Sequence, residues 1–310
     1  MTAGGAAPGS TTPAPRTLSI EVDGVRLHAL EWGAGGDALV LTPGLGQSAH
    51  VFRELGPALA ADGRVVALTP RGHGESGTPP AGYTVAGLAA DLRGALHALG
   101  IARTTLVAHS VSGAVATRLG ADHPERVRGI VYLDGIHDYT RWDEVVRANP
   151  YPPPPQPFFA DARIRRAWHR RYVPGFWCAP LDADLAARPG PADESRRLEL
   201  LAEVVHDVQS HPPPYASLRG PLLALTAGED VATQFPWLDP ADAAARQRAE
   251  AYLRDVRAPW RRASAERFLH EAPHARVAEV PGGHFFFLSA RDRVVDEVRA
   301  FLRTLPPDAS

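Results

Sequence analysis

Ser110 lies in the stretch LVAHSVSGAV, residues 106–115, after a run that reads as a strand and before one that reads as a helix. On such a tight turn a serine hydroxyl is pushed clear of the sheet edge and only small neighbours fit beside it, the geometry of a nucleophile elbow. The local pattern is Ala108-His109-Ser110-Val111-Ser112, followed by Gly113. A serine there would serve equally as an ordinary helix N-cap, so the turn alone does not assign a reaction. A serine hydroxyl at neutral pH is a poor nucleophile. It needs an imidazole to take its proton and return it to the leaving group, and a carboxylate to orient that imidazole. The chain has 13 histidines and 35 carboxylates, so position has to choose among them. His284 follows a strand-like run and a Gly-Gly turn in VAEVPGGHFFFLS. Asp230 directly follows the apolar run PLLALT, with Glu229 as its neighbouring rival, and Asp134 ends the run GIVYLD.

A second chemistry is formally present in HEAPH, residues 270–274, which satisfies the H-E-x-x-H zinc pattern. Two histidines reach one ion from i and i+4 only on an unbroken helical turn. Pro273 opposes that turn, both by its ring and by its restriction of Ala272. No metal site is expected there.

The elements that must position these residues alternate. TLSIEVD and VRLHALEW read as a hairpin. Short apolar strands follow at 38–42, 64–68, 104–108, 129–134, 221–226 and 276–280. Helical patterns lie between them, as at 84–99, where Leu88, Leu92, Leu96 and Leu99 share a face. Alternating β and α predicts an α/β fold with a mostly parallel eight-stranded sheet flanked by helices. The alternation stops at Asp134 and resumes at Pro221, too long a gap for a plain loop, so 136–218 is expected to be an inserted helical cap. Residues 17–135 and 219–306 would form the core, and 1–16 a disordered tail. A second excursion, 231–275, contains a helix through DPADAAARQRAEAYLRDV.

Taken together, these segments resemble the α/β-hydrolase superfamily from about Thr17 to Leu305, most closely bacterial esterase-like members with a helical cap. LTPGLGQSAHVF stands where the family commonly reads H-G, with Pro43 in place of the histidine and Gly44 retained. PRGHGES is similar to the family's R-G-x-G-x-S turn, in which Arg71 and His73 shape a loop. PLLALTAGEDVAT resembles a strand followed by G-x-x-D, with Ala227 at the glycine position. The resemblance implies a triad of Ser110, Asp230 and His284, with Glu229 or Asp134 as alternative acids. It also implies an oxyanion hole from the backbone N–H groups of Leu45 and Val111.

The 33 basic residues, all arginine, nearly balance the 35 acidic ones, so no global field draws in nucleic acid or an anionic membrane. A single Cys178 excludes an internal disulfide and a multi-cysteine metal cluster. No stretch has the length and hydropathy of a membrane span or a secretory signal, and a cytoplasmic protein is expected. The 136–218 segment is dense in aromatics. Trp142, Phe176 and Trp177, with Phe235 and Trp237 from the second excursion, are candidates for an apolar roof over Ser110. The expected activity is serine-dependent hydrolysis of a carboxylic ester or lactone of an apolar small molecule, with no cofactor. The same triad in this superfamily also serves C–C bond hydrolases, lyases, perhydrolases and slow, receptor-like ligand binders.

Overall fold

The computed structural model describes residues 14–151, 163–164, 166–168, 178–187 and 191–306. Its centre is an eight-stranded sheet: β1 (Arg16–Val22), β2 (Val25–Trp32), β3 (Ala38–Thr42), β4 (Val65–Leu68), β5 (Thr104–His109), β6 (Val127–Leu133), β7 (Leu222–Gly228) and β8 (Arg276–Pro281). They lie in the order β1-β2-β4-β3-β5-β6-β7-β8. The β1–β2 and β2–β4 pairs are antiparallel and all later pairs parallel.

Strands β3 to β6 are buried along their whole length, as a sheet covered on both faces requires. Alternate residues enter opposite cores. Leu106, Ala108, Ile130, Tyr132 and Ala224 face one side, packed under α1 (Val85–Ala98) and α2 (Ser112–Asp122). Val107, Val131, Leu133, Leu223 and Leu225 face the other, under α9 (Arg291–Leu302). This two-residue alternation aims the ends of β5, β6 and β7 at a common rim.

Between β6 and β7 the chain forms α3 (Trp142–Arg147), α4 (Ala179–Ala187) and α5 (Pro191–Ser210). Leu200, Val204 and Val208 of α5 join the main core, and Asp207 accepts from the Val85 N–H at the start of α1, 2.7 Å away. Asp184 of α4, buried, accepts from both the N–H and the hydroxyl of Ser48, at 2.6 and 2.7 Å. The insertion is thus tied to the sheet's own helices and loops.

Between β7 and β8 run α6 (Val231–Gln234), α7 (Ala243–Tyr252), a π-helical turn over Leu253–Arg257 and α8 (Ala258–Glu271). Phe235, Tyr252 and Trp260 from this excursion form a third, smaller core with Val145 and Trp142 of α3. The two excursions therefore share one core. Helix α8 stops at Glu271 and Ala272 takes up φ −130°, ψ 73°. His270 and His274 consequently sit on either side of a helix end, and the His274 ring meets the Gly220 carbonyl oxygen at 3.0 Å.

Candidate active site

Ser110 joins β5 to α2 with φ +56°, a left-handed value that a residue with a side chain adopts only when its surroundings enforce it. Two small residues make the elbow possible. A Cβ on Gly113 would lie 2.1 Å from the Gly135 carbonyl oxygen. One on Gly44 would lie 3.0 Å from Ser110 Cβ and 2.9 Å from His109 Nδ1, so the loop after β3 reaches the nucleophile only because that position is bare. Ser112, where the common pattern has glycine, donates its hydroxyl to the Pro43 carbonyl at 2.5 Å and pins the elbow to the same loop. The N–H groups of Leu45 and Val111 reach no acceptor among the described residues.

His284 stands where the chain leaves β8, with its Nε2 3.0 Å from Ser110 Oγ and its Nδ1 2.7 Å from Asp134 Oδ2. His109, wholly buried, holds this loop by its ring: Nε2 lies 3.0 Å from the His284 carbonyl oxygen and Nδ1 3.2 Å from Gln47 Oε1. The serine and histidine expected from the sequence therefore meet. The carboxylate beside them is a different one.

Asp230 does not reach His284. It is exposed at the N-cap of α6, accepting from the Thr233 N–H at 2.8 Å while Thr233 Oγ1 accepts from the Asp230 N–H at 2.9 Å. That reciprocal box consumes the carboxylate as a helix cap. Glu229, the near rival, is also engaged elsewhere, in a two-toothed ion pair with Arg257 at 2.5 and 2.6 Å. The carboxylate in place is Asp134, at the end of β6 with φ +48° and no exposed surface.

Three donors fix Asp134. Its Oδ1 accepts from the Ala227 N–H at 3.1 Å and from Arg261 at 3.1 Å, leaving Oδ2 to His284. Arg261 also donates to the Ala227 carbonyl at 2.6 Å and pairs with Glu229 at 3.3 Å. Burial alone would push the Asp134 carboxyl up. His137, His284 and Arg261 more than offset that and hold it well below the ordinary aspartate range. His137 approaches Oδ2 at 3.3 Å, close enough for attraction but not aligned as a hydrogen bond; burial lowers its own pKa. A buried, ionised carboxylate behind a half-buried imidazole, itself in line with a strained serine, can draw a proton from that serine and stabilise the resulting imidazolium.

Two residues at the site carry no motif in the sequence: Tyr139, whose hydroxyl lies 3.5 Å from Ser110 Oγ, and Arg261. The sequence suggests Trp142, Phe235 and Trp237 as a roof over the serine. The structure instead puts Phe235 in the third core, against Trp237 and Tyr252, and Trp142 on Trp260 at 5.3 Å, beside Tyr139. Phe176 and Trp177 lie outside the described residues. A cleft of about 1030 Å³ opens next to the site, lined by His137, Ala227, Glu229, Phe235, Arg257 and Arg261 among others. Ser110 and His284 do not line it, so it lies behind the acid and not over the nucleophile.

Two groups have the donor types of a metal site within 4.8 Å: Asp134, His137 and His284, and separately His28, His50 and Glu75. Neither arrangement suits an ion. In the first, His284 Nδ1 faces Asp134 as a proton donor to it. In the second, Arg53 donates to His50 Nδ1 at 2.8 Å, which keeps the imidazole proton on Nε2, the atom that would face the ion.

A family model described as alpha/beta hydrolase fold matches residues 37–169. With that match, the sheet order and the elbow, the chain has the α/β-hydrolase fold. Among its relatives, a fluoroacetate dehalogenase of a Burkholderia species is 33% identical over 133 residues, 41% of this chain and 43% of the relative. The chain is thus matched to less than half the length of that curated relative. Among solved structures, E-2-(acetamidomethylene)succinate hydrolase superposes with a TM-score of 0.67 at 17% identity, over 94% of this chain and 100% of the other. Est816, described as an N-acyl homoserine lactone degrading enzyme, gives 0.62 at 21% identity, over 92% and 100%. At those identities the likeness is one of fold. No described helix is long and apolar enough to cross a membrane.

Proposed function

We propose that the protein is a serine hydrolase that cleaves a carboxylic ester or lactone of an apolar small molecule through an acyl-enzyme on Ser110. The observation that carries this reading is the unbroken line from Ser110 Oγ to His284 Nε2 at 3.0 Å and from His284 Nδ1 to Asp134 at 2.7 Å. In the forward step, Ser110 Oγ bonds to the acyl carbon while its proton passes to His284 Nε2. The carbonyl π pair moves onto oxygen and is met by the Leu45 and Val111 N–H groups. The intermediate collapses as the leaving oxygen takes the proton from His284. Water, deprotonated by the same imidazole, then clears the acyl group.

The type of nucleophile separates attack on an acyl carbon from attack on an alkyl carbon, such as the one that bears fluorine in fluoroacetate, the compound in the name of the dehalogenase relative. Serine attack on an alkyl carbon would leave an ether, which water at a neutral imidazole does not hydrolyse. Attack on an acyl carbon leaves an ester, which it does. Turnover at Ser110 therefore favours acyl substrates, and the lactone-degrading and amide-bearing substrates named for the two structural neighbours are of that kind. The excursion 136–218 serves as the lid.

Replacing Ser110 by alanine tests the reading. Turnover of short p-nitrophenyl esters should fall by roughly 10⁴-fold or more while the melting temperature is kept. An Ser110→Ala protein that hydrolyses them at the wild-type rate would refute it.

A further inference from the structure

The loop that follows the acid does more than close the strand. Within six residues, Asp134-Gly135-Ile136-His137-Asp138-Tyr139, it delivers a carboxylate to His284 and a phenol to Ser110. Asp138 locks the loop where Tyr139 begins. Its N–H donates to Ser264 Oγ at 2.9 Å, its carbonyl accepts from the Trp260 indole at 2.9 Å, and its carboxylate accepts from the Thr140 N–H at 3.0 Å. The Tyr139 ring is then held between Trp142 and His137, at centroid distances of 6.2 Å each.

So rigid a mount ends in a hydroxyl with little to do in the free protein. Among the described residues its one partner is Ser110 Oγ at 3.5 Å, the outer limit of a hydrogen bond, and the serine already has His284 at 3.0 Å. Burial pushes the phenol up to about 12, so it keeps its proton across the working range and can only be a neutral donor or acceptor. When a tetrahedral carbon forms on Oγ, its oxygens stand one bond angle beyond the serine oxygen, within reach of a donor placed there.

We propose that Tyr139 is a catalytic residue whose hydroxyl donates a hydrogen bond to an oxygen of the tetrahedral intermediate on Ser110, beside the two backbone donors. This rests on the serine-hydrolase reading above. The phenol keeps its proton throughout; the proton that moves is the serine's, to His284 and on to the leaving oxygen. The hydrogen bond is weak or absent in the ground state and strong only as negative charge develops, so it lowers the barrier more than it tightens substrate binding.

Tyr139→Phe removes only the hydroxyl. With a p-nitrophenyl ester, kcat should fall about 10²-fold while KM moves by less than about threefold. Ser110 should still be labelled to completion by a fluorophosphonate probe. A kcat within twofold of wild type, or a loss confined to KM, overturns the proposal. Absence of labelling at Ser110 in the wild-type protein removes the parent reading and this inference with it, so the two failures are distinguishable.

Site-specific 3,5-difluorotyrosine at 139 gives a readout that a packing role would not move. It keeps the ring and its packing but acidifies the phenol. The groups facing that hydroxyl are Ser110 from the elbow, Asp134 and His137 from its own loop, His284 from the loop after β8 and Arg257 from the π-helical turn, and fluorination leaves all of these unchanged. The alkaline limb of kcat should move to lower pH; a profile superimposable on the wild type also overturns the proposal.

Discussion

The two candidate aspartates occupy environments that suit opposite tasks. Asp134 has no solvent contact, accepts from Ala227, Arg261 and His284, and ionises well below the usual range despite its burial. Asp230 is exposed and finishes a helix cap. Asp134→Asn should therefore leave His284 in the wrong tautomer and lower kcat by about 10⁴-fold. Asp230→Ala should cost about 1 kcal/mol of stability and leave kcat within about twofold of the wild type. Steady-state kinetics and melting curves of the two variants check this, and the reverse ranking would contradict it. Ser110 and His284 were legible because a tight strand-to-helix bend between small residues and a Gly-Gly turn after a strand leave local traces. The acid left no such trace. Asp134 and Asp230 both end apolar strands, and only the direction of the side chain, set by neighbouring strands and by Arg261 from far along the chain, tells them apart. One signal was available: Asp230-Val-Ala-Thr233 also reads as an N-cap with its reciprocal partner at N3.

Among the elements, the excursion between β7 and β8 shapes the site from behind. Its π-helical turn interrupts what would be one long helix between α7 and α8, and Arg257 and Arg261 lie at and just beyond that turn. Arg257 neutralises Glu229, and Arg261 bridges Glu229, the Ala227 carbonyl and Asp134. Such turns often mark functional sites. Arg261→Met would take a cation away from the hydrogen-bonded Asp134–His284 pair, so the pair takes up a proton more readily and the acid limb of kcat/KM should move to higher pH. The plateau should drop by about tenfold, or ~1.4 kcal/mol of transition-state stabilisation. A pH–rate profile measures both, and an unchanged acid limb would count against the bridge. The helix through 239–256 was legible from its composition; the π turn was not, because one extra residue per turn leaves no mark on so alanine- and arginine-rich a segment. The roof aromatics were misplaced for a related reason. Phe235 and Trp237 satisfy any apolar neighbour, and the nearest one is the core shared with α3.

For the whole molecule, the strands were the most readable part. A sheet buried on both faces needs short continuous apolar runs, and each of the eight runs seen in the sequence is a strand of the sheet. Parallel pairing then brings the C-terminal ends of β5 and β6 together, while β8 returns His284 to the same rim. The residues proposed to carry the chemistry come from loops after three different strands, at 110, 134 and 284, and the fold contributes their convergence.

The proposed function has one direct chemical consequence, an acyl group resident on a single side chain. The measurement is mass spectrometry of the protein mixed with a short-chain p-nitrophenyl ester and quenched in acid during turnover. The intact protein should gain the mass of one acyl group, peptide mapping should place it on Ser110, and the adduct should be missing from Ser110→Ala. Rapid turnover with no adduct at Ser110, or the same adduct formed by Ser110→Ala, would contradict the assignment of the nucleophile.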